Sequence, residues 1–362
     1  MTVHSQFGSI PAFRRETGGN RSNDPRSFCE PEAKALNTSA KLKGIHRISL
    51  PTPFPIGPVN VYLVEGESLT LVDAGPKTDE AWESLKTQLR ERGYSPSDIE
   101  QVVLTHHHID HVGLLDYLRE HGNFRLIGHP RNRPWILQDE SFYRRWYRYM
   151  EELFHSGGVA ESLIGPNIEL HKLLQQFNCR TDLDGEIAEG DEVPGMPGWR
   201  VKETKGHAQS HISLYREADG LMIGGDHLIA HVSSNALIEP PYPGEDERAK
   251  PLLQYRQSLR SCLDMDLALV LAGHGKEISH AHSLIRERLA QQDKRALTLR
   301  DFLSEGEALT CFELCKRLFP SKYLEQLPLA MSETLGHLDL LEEWGAVKKE
   351  EKGGVFRYRL GD

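Results

Sequence analysis

Thr105-His106-His107-His108-Ile109-Asp110-His111 is the stretch of the sequence that decides the fold, because four histidines and an aspartate fall within six residues. The apolar run 102–104 leads into this stretch, and apolar residues at helical spacing follow it between 112 and 118. Gly122 then ends the pattern. This order predicts a strand, a short loop that carries the histidines, and a helix.

The spacing of these polar residues indicates metal binding. His106 and His108 are two residues apart, so on an extended loop their side chains point to the same side. Asp110 and His111 follow at the turn into the helix and face a second point nearby. Zinc prefers imidazole nitrogen and carboxylate oxygen, and a catalytic zinc keeps a position for water. Two adjacent metal positions are therefore predicted, against the simpler alternative of a polar loop rich in histidine.

The HxHxDH pattern of residues 106–111 resembles the signature of the metallo-β-lactamase superfamily, whose other motifs each follow a strand. Four further segments match those motifs in the family's order: Val72-Asp73-Ala74-Gly75, Lys205-Gly206-His207, Gly224-Gly225-Asp226 and Ala272-Gly273-His274. The five motifs lie within residues 45–290, and their order makes the resemblance specific. The fold that it implies is α+β, a four-layer αββα sandwich with two sheets between helices.

The resemblance also implies a role for each motif residue. The implied ligands of two zinc ions are His106, His108 and His207 for the first, Asp110, His111 and His274 for the second, and Asp226 as a bridge. Iron or manganese would fit the same ligands. Asp110 would also be catalytic, and Asp73 would support the site without binding metal. His211 is a candidate for substrate binding or for a place behind the ligands. The histidines predicted to stay outside the ligand set are His107, His227, His280 and His282.

The implied reaction is hydrolysis by a hydroxide that bridges the two metal ions and is oriented by Asp110. Many chemistries share this fold, so particular residues must discriminate among them. Asp226 disfavours a true β-lactamase, because those relatives lack the bridging aspartate. His108 disfavours a flavodiiron site, which has glutamate at that place. Hydrolysis of an ester, thioester or lactone, as in glyoxalase II-like relatives, is favoured.

Three alternatives to that reaction stay open at this point. One is phosphodiester cleavage, as in lactamase-beta-like relatives that cut single-stranded RNA. A second is the mononuclear iron persulfide dioxygenases, which keep similar histidines but for which the long helical tail of this chain is a poor match. The third is a non-catalytic, metal-binding regulator of DNA, against which the complete ligand set argues.

Composition limits the class of protein. The chain has 362 residues, of which 38% are hydrophobic and 27% charged, which suits two domains with a sizeable core. No run approaches the ~20 apolar residues of a membrane helix, and no secretory leader is found, so a cytoplasmic protein is predicted. The net charge of −10 favours a small-molecule substrate over nucleic acid, although a local basic patch stays open. The five scattered cysteines indicate no disulfide framework.

Changes in composition divide the chain into segments. Residues 1–42 are rich in Ser, Asn, Gly, Arg and Pro and are predicted to be a flexible arm. Residues 43–282 form the predicted metallo-β-lactamase domain. Within it, residues 131–177 interleave aromatic residues with arginines and are predicted to be helical. This insertion is either a lid or wall of the substrate site or a helix pair packed on the sandwich, and its composition would also suit single-stranded nucleic acid.

Residues 283–362 change to helical patterns that end in a hairpin around Gly353-Gly354, which resembles a winged-helix domain. Cys311 and Cys315 lie one helical turn apart and are predicted to be buried thiols. Winged helices often bind DNA, but from Ala296 onward nine Lys and Arg face twelve Asp and Glu, a net charge of about −3. We therefore predict an appendage that packs on the first domain or covers the substrate.

Overall fold

Two β-sheets stacked face to face form the centre of the computed structural model, which describes residues 42–304 and 306–361. The predicted arm, apart from Leu42, lies outside these residues. The first sheet has its strands in sequence order, antiparallel from β1 to β3 and parallel from β3 to β6. Its strands are β1 (Ile45–Leu50), β2 (Val59–Glu65), β3 (Leu69–Val72), β4 (Gln101–Leu104), β5 (Arg125–Gly128) and β6 (Gly185–Glu186).

The second sheet runs in the order β10-β9-β8-β7, with β9 and β10 parallel and the other pairs antiparallel. Its strands are β7 (Trp199–Glu203), β8 (Ile212–Arg216), β9 (Leu221–Gly225) and β10 (Leu269–Ala272). Val72 and Val103 from the first sheet are buried in one cluster with Val201, Leu214 and Ile223 from the second. This shared apolar layer holds the two sheets together.

Helices cover the outer faces of both sheets. Over the first sheet lie α1 (Asp79–Arg90), α2 (Ile109–Val112) and α3 (Leu115–His121), and over the second lie α7 (Pro251–Leu263) and α8 (Ala281–Leu303). Trp82, Leu85 and Leu89 lie on one face of α1 and are buried against the first sheet. Leu252 and Leu259 of α7 belong to the core beneath the second sheet. The predicted αββα arrangement is confirmed.

The insertion of residues 131–177 is helical, as predicted. It comprises α4 (Arg133–Ile136), α5 (Glu140–Ser156) and α6 (Glu161–Leu174). Met150 and Phe154 of α5 join the core that α7 and α8 form on the second sheet. Trp135 and Phe142 form a separate buried cluster with Tyr242. The insertion is therefore packed on the sandwich, and its role as a wall of the substrate site stays a prediction.

The C-terminal segment adds β11 (Leu309–Thr310), α9 (Cys311–Leu318), α10 (Leu327–Glu343), β12 (Val347–Lys352) and β13 (Val355–Leu360). Lys352 pairs with Val355, and the two glycines between them have φ of 64° and 78°, which a two-residue hairpin turn of this type requires. The predicted hairpin is confirmed. Cys311 and Cys315 are buried free thiols. The assignment as a winged helix, with a boundary at residue 283, stays a prediction.

The C-terminal segment packs directly on the outer helical layer of the sandwich. Leu338 and Leu341 of α10 share one buried cluster with Leu259 of α7 and Leu299 of α8. The two helices α10 and α7 approach closely at Gly336, where an added Cβ would lie 2.9 Å from a carbon of the facing leucine. In the described part of the chain, no helix is long and apolar enough to cross a membrane.

One local expectation from the sequence is changed. The turn signals Asp184-Gly185 and Gly190-Asp191 in the sequence indicate a hairpin that leads to His207. In the structure Gly185–Glu186 instead pairs with β5 in the first sheet. Only the later part folds back on itself, where Glu192 bridges to Arg200 of β7. The segment therefore crosses from one sheet to the other.

Candidate metal centre

Segments that each follow a β-strand bring polar side chains to one end of the sandwich. Asp73 follows β3, the 105–111 stretch follows β4 and His207 lies beyond β7. Asp226 follows β9, and His274 lies beyond β10. β3 is parallel to β4 and β9 is parallel to β10, so within each sheet the carboxyl ends of these strands meet at one edge. The loops predicted to carry ligands therefore converge.

The seven predicted ligands lie in three overlapping groups, and the ligand atoms within each group are at most 4.8 Å apart. The groups are His106, His108 and His207; His106, His111 and Asp226; and Asp110, His111 and His274. The Asp226 carboxylate stands between the outer groups, because its Oδ2 is 3.6 Å from His207 Nε2 and 3.5 Å from His274 Nε2. The structure thus gathers all seven residues, and their division between two ions stays a prediction.

Five buried atoms at this centre have no hydrogen-bond partner among residues 42–304 and 306–361. They are Nε2 of His106, His111, His207 and His274, and Oδ1 of Asp226. An unpaired buried polar group costs about 1–3 kcal/mol, so a cluster of them calls for a common partner. Four converging imidazole nitrogens and a carboxylate oxygen are the donor set that a divalent cation prefers. These residues therefore fit the predicted metal ions.

In three of the candidate ligands, the other ring nitrogen is held by a protein acceptor. His207 Nδ1 lies 2.8 Å from the carbonyl oxygen of Asn235, and His274 Nδ1 lies 3.0 Å from that of Pro58. A carbonyl only accepts, so Nδ1 carries the proton and the lone pair of Nε2 faces the centre. His111 Nδ1 is held in the same way by Asp73 Oδ2 at 2.8 Å.

Asp73 supports the site from behind the ligands. Its carboxylate accepts hydrogen bonds from the backbone nitrogen and the hydroxyl of Thr105, both at 2.8 Å, in addition to that from His111. Its φ is 62°, an unusual backbone conformation for a residue other than glycine. The carboxylate therefore joins the end of β3 to the loop after β4 and fixes the His111 ring. This geometry agrees with the supporting role implied for Asp73.

Burial and nearby charge set the protonation of two candidate ligands on the 105–111 loop. Burial lowers the pKa of His108 to about 3, so the ring is neutral and its nitrogen is free to bind a metal ion. Burial by itself raises the pKa of Asp110, but the neighbouring imidazoles of His111 and His274 together outweigh it and hold this pKa at about 2. Asp110 is therefore an ionised carboxylate at neutral pH.

His211 lies behind the ligands, which is one of the two places that the sequence left open for it. The ring has no exposed surface. Its Nε2 accepts a hydrogen bond from the backbone nitrogen of Asp226 at 3.1 Å, and its Nδ1 contacts Thr204 Oγ1 at 2.8 Å. With both ring nitrogens engaged, His211 has no group to offer a substrate. It instead fixes the backbone of Asp226.

The histidines predicted to lie outside the ligand set are outside all three ligand groups. His107 stacks on Trp135, with ring centroids 4.1 Å apart and planes at 7°. His227 contacts Cys262 Sγ at 3.5 Å, and His282 Nε2 contacts the carbonyl oxygen of Met265 at 2.9 Å. His280 is exposed.

Sequence reasoning missed the support from the long connection between β9 and α7. Besides Asn235, which holds His207, this connection carries the buried Glu239. The Glu239 carboxylate accepts hydrogen bonds from the backbone nitrogen of Gln209 and from the hydroxyl of Tyr242, both at 2.7 Å. The sequence signal that could have indicated this support is the length of the connection, which has no helix or strand of its own, as is typical of a functional loop.

Glu239→Gln is expected to remove a pH-dependent loss of stability. Burial raises the pKa of Glu239 to about 7, although the hydrogen bonds from Tyr242 and Gln209 and the charge of Arg131 act to lower it; the charge of Glu245 raises it slightly. Because the folded protein binds the Glu239 proton more tightly than the unfolded chain does, this proton stabilises the fold. Its contribution to the free energy of unfolding is complete below the unfolded-state pKa of about 4.5 and is lost as the pH rises to about 7. Because each pKa unit is worth 1.36 kcal/mol, the variant should gain up to about 3 kcal/mol over the unaltered protein across this window. Urea unfolding of both proteins at several pH values measures the gain, and a constant difference would contradict it.

The comparisons with known proteins agree with this geometry. The family model described as "Metallo-beta-lactamase superfamily" matches residues 55–274, the range that holds every candidate ligand. The chain is 43% identical over 312 residues to the probable metallo-hydrolase YqjP of Bacillus subtilis (strain 168), an alignment that covers 86% of this chain and 96% of that protein.

Solved structures show the same fold over nearly the whole chain. A metallo-beta-lactamase family protein from Thermus thermophilus has a TM-score of 0.73 and 28% identity, with 88% of this chain and 99% of that chain covered. A beta-lactamase domain protein from Burkholderia ambifaria has a TM-score of 0.70 and 25% identity, with 88% and 93% covered. The chain therefore belongs to the metallo-β-lactamase superfamily and is a metal-dependent hydrolase.

Proposed function

We propose that this hydrolase binds two zinc ions and cleaves an ester, a thioester or a lactone of small size. The observation that carries the proposal is the position of the Asp226 carboxylate, within 3.6 Å of histidine nitrogens from both outer ligand groups. A carboxylate at that place can contact two metal ions at once. Histidine nitrogen and carboxylate oxygen, with no cysteine in the three groups, suit zinc and would also hold iron or manganese.

The partly exposed residues of the 105–111 stretch indicate the side from which a substrate approaches. His108, Ile109 and Asp110 are partly accessible, whereas His106 and His111 are buried. Metal ions at such a centre supply a hydroxide at neutral pH and polarise the oxygen of the substrate. The ionised carboxylate of Asp110 can only accept hydrogen bonds, so it can hold the proton of an attacking water and aim its oxygen. Asp110 is the chain's own catalytic group in this proposal.

The charges around the centre favour a small acyl substrate over a polyanion. Several cations on the flanking segments are already paired with carboxylates: Lys77 with Asp116, Arg131 with Glu245, Arg133 with Asp182 and Lys205 with Glu203. Nucleic-acid binding depends on cations that are free to neutralise phosphates. With a net charge of −10 for the chain, these pairs support hydrolysis of a carboxylic ester, thioester or lactone.

A turnover screen tests the substrate class. Zinc-loaded protein is assayed against thioesters, lactones, carboxylic esters, phosphodiesters and short single-stranded RNA, with Asp110→Asn as the control for contaminating hydrolases. We expect turnover of at least one acyl substrate that the control lacks. Turnover confined to phosphodiesters or RNA would replace the acyl proposal with a nuclease or phosphodiesterase function.

A further inference from the structure

A chain of buried contacts begins on the metal loop and leads away from the ligands. His107 points away from the centre, stacks on the indole of Trp135 and places its Nδ1 2.8 Å from Ser210 Oγ. Trp135 belongs to α4 at the start of the insertion, and Ser210 lies on the loop that carries His207. One side chain thus contacts both the insertion and the second ligand-bearing loop.

The same chain of contacts returns to the His207 loop through Glu239. Trp135 Nε1 donates to the hydroxyl of Tyr242 at 2.8 Å, and this hydroxyl donates to Glu239 Oε2 at 2.7 Å. The other carboxylate oxygen of Glu239 accepts a hydrogen bond from the backbone nitrogen of Gln209 at 2.7 Å. Gln209 and Ser210 are adjacent, so the contacts form a closed circuit around the two ligand-bearing loops. We call it the Glu239 circuit, which consists of His107, Trp135, Gln209, Ser210, Glu239 and Tyr242.

Burial makes this circuit stiff. All six of its residues are buried. Water has little access to replace a lost partner, so removing the carboxylate would leave the nitrogen of Gln209 and the hydroxyl of Tyr242 without their acceptor. Gln209 is two residues from His207, whose Nε2 is one of the unpaired atoms at the centre. A shift of the Gln209 backbone therefore moves a candidate ligand.

We infer that Glu239 is a positioning residue: by holding the backbone of Gln209, it fixes the place of His207 relative to His106 and His108. The inference rests on the proposed function only in taking these histidines as ligands of one ion. The hydrogen bonds from Trp135 to Tyr242 and from Tyr242 to Glu239 connect this positioning to the insertion. The helices of residues 133–174 would therefore be coupled to the metal centre. No hydrogen bond, ion pair or ring contact joins the side chains of the Asp110, His111 and His274 group to the circuit, so this group should keep its ion when the circuit is broken.

The test is zinc binding by Glu239→Ala, Glu239→Gln and Tyr242→Phe, measured by competition with a fluorescent zinc chelator. Partners behind metal ligands typically contribute 10–100-fold to affinity, so Glu239→Ala should bind one of its two zinc ions about 10- to 100-fold more weakly. Glu239→Gln keeps an oxygen for Gln209 and should restore the affinity. Tyr242→Phe should weaken the same ion to a smaller degree. In the cobalt-substituted proteins, the absorption bands of the weakened site should differ between Glu239→Ala and the unaltered protein, and the bands of the other site should be the same.

Asp184→Ala is the control, because Asp184 likewise accepts a hydrogen bond from a backbone nitrogen, that of Leu126, at 2.7 Å, but it is half exposed and lies outside the circuit. It should leave both zinc affinities unchanged. Equal zinc affinities in Glu239→Ala and the unaltered protein would overturn the inference. If Glu239→Ala does not fold, unchanged binding by Tyr242→Phe would overturn it instead. An unaltered protein that binds no zinc would be a failure of the proposed function and would be recognised before any variant is compared.

Discussion

Asp110→Asn should lower kcat at saturating zinc by roughly 10²–10⁴-fold, the usual cost of losing a positioned acid or base. The Asp110 carboxylate is ionised, is partly exposed on the open side of the centre and lies 3.2 Å from His274 Nε2. Asparagine keeps the shape of the side chain but removes its charge. An amide is a poorer zinc ligand than a carboxylate, and although its oxygen can accept a hydrogen bond from water, it cannot serve as a base.

Asp73→Asn is the comparison that separates catalysis from support. Asp73 contacts Thr105 and His111 but belongs to none of the three ligand groups. We expect weaker metal binding and, at saturating zinc, a smaller loss of kcat than for Asp110→Asn. Both variants are measured on the best substrate from the screen, with metal content determined in parallel. If Asp110→Asn kept both metal ions and a kcat near that of the unaltered protein, the role assigned to Asp110 would be wrong.

Asp339→Ala should lower the free energy of unfolding by roughly 3 kcal/mol, the lower end of the usual cost of breaking a buried ion pair, because it leaves the partly buried guanidinium of Arg248 without its counter-charge. Arg248 donates from both terminal nitrogens to the two carboxylate oxygens of Asp339, at 2.8 Å and 2.6 Å. The Asp339 side chain is 2% exposed and that of Arg248 is 19% exposed. This pair ties the connection between β9 and α7, which supports His207, to helix α10 of the C-terminal segment.

The double variant Arg248→Met with Asp339→Leu is the control for this prediction. Replacing a whole buried ion pair by apolar side chains of similar volume is often neutral or stabilising. We therefore expect the double variant to recover most of the stability that Asp339→Ala loses in urea unfolding. A loss below about 1 kcal/mol in Asp339→Ala, the size typical of an exposed pair, would show that the pair is not an anchor.

The part of the centre that could be predicted from sequence consists of side chains on loops that directly follow strands. The sequence places His106, Asp110 and Asp226 within a few residues of a strand end, and the fold brings such strand ends to one edge. Local spacing therefore carries most of the information about these positions. The hairpin at Gly353-Gly354 could be predicted for the same reason, because turn and strand signals are local.

The supports of the centre could not be predicted because they depend on contacts between distant segments. The carbonyl groups of Pro58 and Asn235 hold His274 and His207, and a backbone carbonyl has no sequence signature. His211 is correctly placed near the centre by its spacing from His207. Its role could not be assigned, however, because it depends on the backbone nitrogen of Asp226, fifteen residues away.

The most direct test of a dinuclear centre is the metal content of the purified protein under zinc-replete conditions, measured by elemental analysis together with that of Asp226→Ala. We predict about two ions per chain for the unaltered protein, because its seven candidate ligands form two outer groups with Asp226 between them. Asp226→Ala should bind fewer. At most one tightly bound ion in the unaltered protein, with no change in the variant, would contradict the dinuclear centre.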